Sequence, residues 1–293
     1  MFIGEDAQLM KTALILEGGA MRGMFTCGVT DVFLENGIEF DGAAGISAGA
    51  VFGCNFKSRQ VGRAIRYNKR YGRDPRYCSL RSLLKTGDLY GVDFCYRQIP
   101  DVLDPFDRVA FRENPMAFYV GATDVMTGEA VYHRLADGGD ADIQWMRASA
   151  SMPLVSRPVA LDGRLLLDGG IVDPVPFAYM EGLGYDRCVA ILTQPKGYRK
   201  QPARGMALFR LGLRKYPAVV QAMAVRHERY NEQMRQIDGR EAAGALLVIR
   251  PWSPLGISRT ENDPDALERV YRLGRAQGEK RLEEVRAYLQ QKA

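Results

Sequence analysis

The chain has 293 residues, of which 46% are hydrophobic and 26% charged; it is long enough to bury a full core and has an ordinary globular composition. A net charge of +5 with no RNA- or DNA-binding motif excludes nucleic acid as the expected partner. No apolar run reaches the length of a membrane span, and the five cysteines, odd in number and without a C-x-x-C pair, read as reduced thiols of a cytoplasmic protein.

Residues 1–9 read as an extension ahead of Met10, without the basic and apolar regions of a signal peptide. Residues 12–16 (TALIL) form a buried strand in this reading, ending in a glycine-rich loop over 17–23. A helix over 24–35 stops at Asn36-Gly37. Residues 37–41 look extended and lead towards Ser47, and a helical run follows from 48 to about 71. Residues 57–85 carry ten basic residues and one acidic one, Asp74, and read as a solvated helix face and loop. A strand over 117–122 pairs back with 129–133 as a hairpin. A helix over 142–151 precedes a turn at 161–164 and a short strand, 165–167, which delivers Asp168-Gly169-Gly170. Strands at 187–193 and 245–249 flank a basic amphipathic segment and a helix over 218–237, and a charged helix over 265–290 is broken at Gly274 and Gly278. Strands alternating with helices predict a parallel sheet with helices on both faces, whose ligands sit at the carboxyl ends of the strands.

Two of those ends carry chemistry. Gly45-Ile46-Ser47-Ala48-Gly49 is a G-x-S-x-G pattern between a strand and a helix, the context in which a sharp turn lifts a serine hydroxyl out of the fold. Gly45 and Gly49 are small where strand and helix must pass closely. Gly18, Gly19 and Ala20 leave backbone N–H groups open as an oxyanion hole, and Arg22 can anchor a phosphate or a carboxylate nearby. The same loop fits a loose dinucleotide fingerprint, but Ala20 stands where the pyrophosphate needs a glycine. For the base, a triad would run Ser47, Asp168, His227; yet His227 lies in a strongly polar helical stretch, and His133 precedes Asp168 at a strand end.

The alternative is a Ser–Asp dyad. Glu17-Gly-Gly-Ala-Met-Arg-Gly23, Gly45-Ile-Ser-Ala-Gly49 and Asp168-Gly-Gly170 resemble, in order and spacing, the motifs of the patatin-like phospholipases. Gly121-Ala-Thr-Asp-Val-Met-Thr-Gly128 and Ala148-Ser-Ala-Ser-Met-Pro153 agree with them. The resemblance spans about 12–193 and is closest to the short bacterial branch. It implies a three-layer α/β/α sandwich with a mostly parallel central sheet, one domain over 10–293 with the core motifs in 12–193 and further helices and a strand in 196–293. It implies Ser47 as nucleophile, Asp168 as base, an oxyanion hole from Gly18, Gly19 and Ala20, Arg22 as loop support, and Gly169 and Gly170 turning Asp168 towards the serine. The expected reaction is hydrolysis of a lipid or acyl ester through an acyl-serine, with no metal and no cofactor. Two departures stand out: Ala20 replaces the third loop glycine, and Asp173 stands where an asparagine is usual.

Two other expectations stay beside this one. A lipid- or partner-binding protein on the same fold, without useful turnover, would also suit Ala20 and the basic segments. Residues 196–220, with seven basic and no acidic residues in 196–215, could pack as an ordinary helix or cover the site as an interfacial flap, giving peripheral contact with the inner membrane surface.

Overall fold

The computed structural model describes residues 10–290, so the expected extension at 1–9 lies outside the described residues. The chain builds a mixed eight-stranded sheet. β1 (Thr12–Leu16), β2 (Gly42–Ile46), β3 (Ala117–Asp124), β7 (Arg187–Ile191) and β8 (Leu246–Ile249) run parallel in the order β3-β2-β1-β7-β8. β4 (Ala130–Leu135) and the hairpin β5 (Val159–Leu161) and β6 (Arg164–Asp168) are antiparallel additions around β3.

β1 is apolar throughout because both its faces are covered. Leu14 and Leu16 point into the core formed with α1 (Gly23–Glu35), α2 (Ala48–Lys57) and α10 (Pro264–Gln290). Ala13 and Ile15 point the other way, into the core formed with α7 (Phe177–Gly182) and α9 (Pro217–Ala242). Period-two alternation feeding two helical layers makes the three-layer α/β/α sandwich. The remaining helices are α3 (Arg63–Tyr71), α4 (Leu80–Thr86), α5 (Arg108–Glu113), α6 (Asp140–Ser149) and α8 (Met206–Gly212), with a wide helical run over Phe94–Leu103.

Three expectations change. The extended residues 37–41 are not the strand before Ser47; the strand is Gly42–Ile46, whose small residues let Tyr185 and the start of α2 lie against it. The long helix from 48 to 71 is two, divided where Arg59 and Gly62 take positive φ. Gly274 and Gly278 do not break α10. They let it lie directly on α1: a Cβ on Gly274 would strike the Phe25 carbonyl, one on Gly28 would strike that of Tyr271, and one on Gly278 would crowd Val29 and Val32.

The basic run at 57–85 is also less solvated than expected. Lys57 is buried and donates to the carbonyls of Asn114 and Met116; Arg63 is buried and donates to the Asp104 carbonyl. Arg66, Lys69 and Arg73 pair with Asp104, Glu268 and Asp263. This segment is used in holding the fold together.

Candidate active site

Ser47 sits in the turn between β2 and α2 with φ 54° and ψ −117°, a left-handed conformation that a serine holds only when its surroundings fix it. Gly45 and Gly49 do so: a Cβ on the first would strike the Gly49 carbonyl, and one on the second the Leu16 carbonyl. The backbone N–H of Ser47 donates to Ser149 Oγ at 2.9 Å, and Ser149 donates in turn to the Gly121 carbonyl at 2.6 Å. Ser149 thus ties the turn to α6 and β3. It belongs to a short Ala-Ser-Ala-Ser block that the sequence displayed without assigning it a task.

Asp168 reaches Ser47 by strand pairing. β2 occupies one edge of β3 up to the Ile46–Gly121 pair, where the chain leaves for α2. β6 takes over that edge from the opposite direction, ending with Asp168 opposite Ala122, while β4 covers the other edge. The carboxyl ends of β2 and β6 therefore meet, and Ser47 Oγ donates to Asp168 Oδ2 at 2.7 Å. Asp168 Oδ1 accepts the Gly170 N–H at 2.7 Å, and Gly169 passes so close to the Gly121 carbonyl that a side chain would not fit. Burial raises the Asp168 carboxyl above the ordinary 3.8; the Ser47 hydrogen bond, the nearby Arg226 charge, the Gly170 N–H and Arg259 pull it back.

The glycine-rich loop faces the pair. Gly18 passes over Ile46 and Ser47, and its N–H donates to the Pro174 carbonyl at 3.4 Å. Among the described residues no acceptor lies on the N–H of Gly19 or Ala20, so these are the open donors. Ala20 holds φ at 50°, unusual for a residue with a side chain. The Arg22 N–H closes the turn onto the Gly19 carbonyl, while its guanidinium faces a cavity with Nε buried and without a partner. Glu17, ahead of the loop, accepts from Thr193 and from the Tyr230 hydroxyl. Asp173 accepts from the Tyr132 hydroxyl and from Gln233, tying the turn after Gly170 to β4 and α9.

Ser47 stands where two cavities meet. One, of about 120 Å³, is lined mainly by apolar and aromatic side chains, among them Val51, Phe52, Tyr67, Tyr96, Ile99 and Met146. The other, of about 530 Å³, is bounded by the glycine-rich loop, Asp168, residues 152–155, Leu208 and Phe209 of α8, and Met223, Arg226 and Tyr230 of α9. Residues 196–220 thus supply part of a cavity wall. Neither histidine joins the site. His227 lines neither cavity and lies 3.6 Å from Glu228; His133 stacks on Trp145 and faces Asp142. The preceding residue, Arg226, is the one that turns inward, donating through Nε to the Gly170 carbonyl at 2.6 Å. Helical spacing puts Met223, Arg226 and Tyr230 on one face of α9, but only the packing of that helix tells which face is turned inward.

The chain is similar to several known proteins. An uncharacterized NTE family protein of Mycobacterium tuberculosis is 30% identical over 66% of this chain, which spans about half (51%) of that protein's length. The uncharacterized protein YjjU of Escherichia coli is 28% identical over 97% of this chain and 80% of its own. Lysophospholipase nte1 of Aspergillus niger is 27% identical over 62% of this chain and 12% of its own. Residues 216–290 match a domain of unknown function (DUF6363). Residues 14–180, more than half of the chain and all of the segments that meet at Ser47 and Asp168, match the family described as Patatin-like phospholipase. The chain belongs to the patatin-like phospholipase family.

Proposed function

We propose that the protein is a serine acyl hydrolase acting on lipid esters, with Ser47 as nucleophile and Asp168 as its base. The observation that carries this reading is the direct 2.7 Å hydrogen bond from the Ser47 hydroxyl to a buried carboxylate, in a strained turn beside free backbone N–H groups. Family membership and the name of the fungal relative, lysophospholipase nte1, support the choice of lipid esters.

In this reaction Asp168 takes the Ser47 proton as Oγ attacks the acyl carbonyl carbon. The Gly19 and Ala20 N–H groups receive the negative charge that develops on the carbonyl oxygen. Collapse breaks the ester bond; the leaving alkoxide takes the proton from Asp168 and departs as an alcohol. Water, activated by the same carboxylate, then releases the fatty acid and restores Ser47. A raised carboxyl suits this work, because a base is most effective when its pKa lies near the working pH. The apolar cavity receives the acyl chain.

A fluorophosphonate, which traps activated serines, tests the assignment. Labelling is expected for wild type and His227→Ala and is lost in Ser47→Ala and Asp168→Asn. Unlabelled, folded wild-type protein would favour a lipid-binding role without turnover. Loss of labelling in His227→Ala would restore the triad.

A further inference from the structure

The larger cavity has an unusual charge balance. Arg22, Lys200, Arg204, Arg226 and Arg259 line it together with only two carboxylates, Glu17 and Asp168. Both carboxylates are engaged by other donors: Glu17 by Thr193 and Tyr230, and Asp168 by Ser47 and Gly170. Among the described residues none of the five cations forms an ion pair, whereas Arg240, Arg250 and Arg275 elsewhere all do. Arg22 Nε is buried without any acceptor, and the Lys200 ammonium rests 4.2 Å from the centre of the Tyr230 ring. Like charges gathered in a half-enclosed cavity repel one another, so an arrangement of this kind is completed by an anion.

We propose that this wall is a binding site for the phosphate of an anionic lipid headgroup, so that the preferred ester carries a phosphate monoester or a comparably charged group on its alcohol side. The proposal rests on the acyl hydrolase reading and names its substrate class. With the acyl chain in the apolar cavity and the carbonyl at Ser47, the alcohol side of the ester falls in the larger cavity, among the cations. Two of them, Arg226 and Arg259, come from the segment that matches a domain of unknown function, which gives that segment a task in headgroup selection. Lys200 adds a second mark. Burial first, then the charge of Arg226 and those of Arg22 and Arg259, push its ammonium down to about 7, against the opposing pull of Glu17. A phosphate beside it favours the charged form, so binding near neutral pH takes up a proton.

The test uses the full-length protein and three lipids with one acyl chain: 1-acylglycerol 3-phosphate, 1-acylglycerol 3-phosphocholine and the neutral monoacylglycerol. Wild type is expected to hydrolyse the phosphate monoester with a kcat/KM at least about tenfold above the other two, and Lys200→Gln combined with Arg259→Gln to lower that ratio by about tenfold. Equal rates on all three lipids overturn the headgroup site and leave the acyl hydrolase reading standing. If none is hydrolysed, that reading fails, and calorimetry on Ser47→Ala decides the headgroup site by itself. Tighter binding of the phosphate lipid than of the phosphocholine lipid upholds it; equal binding overturns it. Inorganic phosphate in the same calorimeter separates the sources. If it binds as tightly as the lipid, the site serves a free anion and the headgroup assignment falls.

Discussion

Arg226 shows how one side chain can tune another without touching it. It holds the Gly170 carbonyl, and its charge is the second-largest influence drawing the Asp168 carboxyl down, after the hydrogen bond from Ser47. Burial pushes that carboxyl up, and the proposed mechanism needs it ionised. Activity is therefore lost as pH falls through a value above the ordinary aspartate range. Arg226→Gln is expected to move this acid limb of kcat/KM to higher pH, as a full pH–rate profile would show. An unchanged limb with a uniformly lower rate would mean that Arg226 only props the turn. The sequence disclosed Ser47, Asp168 and the loop because each is marked by glycines that only a close approach or a special turn requires. It hid Arg226 and Ser149. An arginine in a polar helix looks solvated until the packing of that helix is known, and a serine among alanines has no pattern of its own.

The contact between α1 and α10 rests on Gly28 and Gly274, where backbone meets backbone and nothing flexible can yield, and is tight at Gly278 against Val29 and Val32. Gly274→Ala is expected to cost on the order of 3 kcal/mol, seen as a lower denaturant midpoint, although alanine is the better helix former. If it stabilised the protein, the two helices would have to lie farther apart. Asp31 of α1 joins the same contact. Its Oδ2 accepts from the Tyr271 hydroxyl of α10 at 2.8 Å and from the Gly62 N–H at 2.9 Å, with Glu35 and Arg275 nearby. Burial raises its carboxyl from 3.8 to about 6. Between those values the folded state holds a proton that the unfolded chain has released, so stability from this group is full below the lower value and declines as pH rises through the upper one. Asp31→Asn keeps an oxygen for both donors and carries no charge. Its stability relative to wild type should rise between pH 4 and about 6.5, by on the order of 3 kcal/mol at most; a difference independent of pH would place Asp31 outside this balance. The long, strongly patterned elements were legible in the sequence, with β1 and the hairpin of β3 and β4 close to expectation. The unbroken α10 was not, because glycine reads as a stop until a neighbouring backbone shows why it is there; nor was the break between α2 and α3, where Gly62 stands in an otherwise helical run and the turn also needs a positive φ at Arg59, which its residue type does not announce.

The whole molecule places its exposed apolar side chains in telling positions. Leu84 of α4 is 89% exposed and Leu211 of α8 is 69% exposed, with Arg81, Lys85, Arg210 and Arg214 beside them in the chain. Both helices adjoin the 152–155 segment that lines the larger cavity: Gly212 packs by Leu154, and Leu89, just beyond α4, donates to the Val155 carbonyl. No helix among the described residues is long and apolar enough to cross a membrane. Such a surface suits contact with lipid from one side. Leu84→Ser with Leu211→Ser is expected to reduce hydrolysis of vesicle-borne lipid several-fold while a short soluble ester is cleaved as before. Equal loss on both substrates would remove these leucines from lipid capture.

The meeting of β2 and β6 along one edge of β3 also sets when the proposed pair can form. Ser47 and Asp168 are 121 residues apart in sequence, and nothing local brings them together. A nascent chain that has emerged only as far as β3 carries the serine without its base. The proposed chemistry needs both, so it can begin only after β6 has filled the last stretch of that edge.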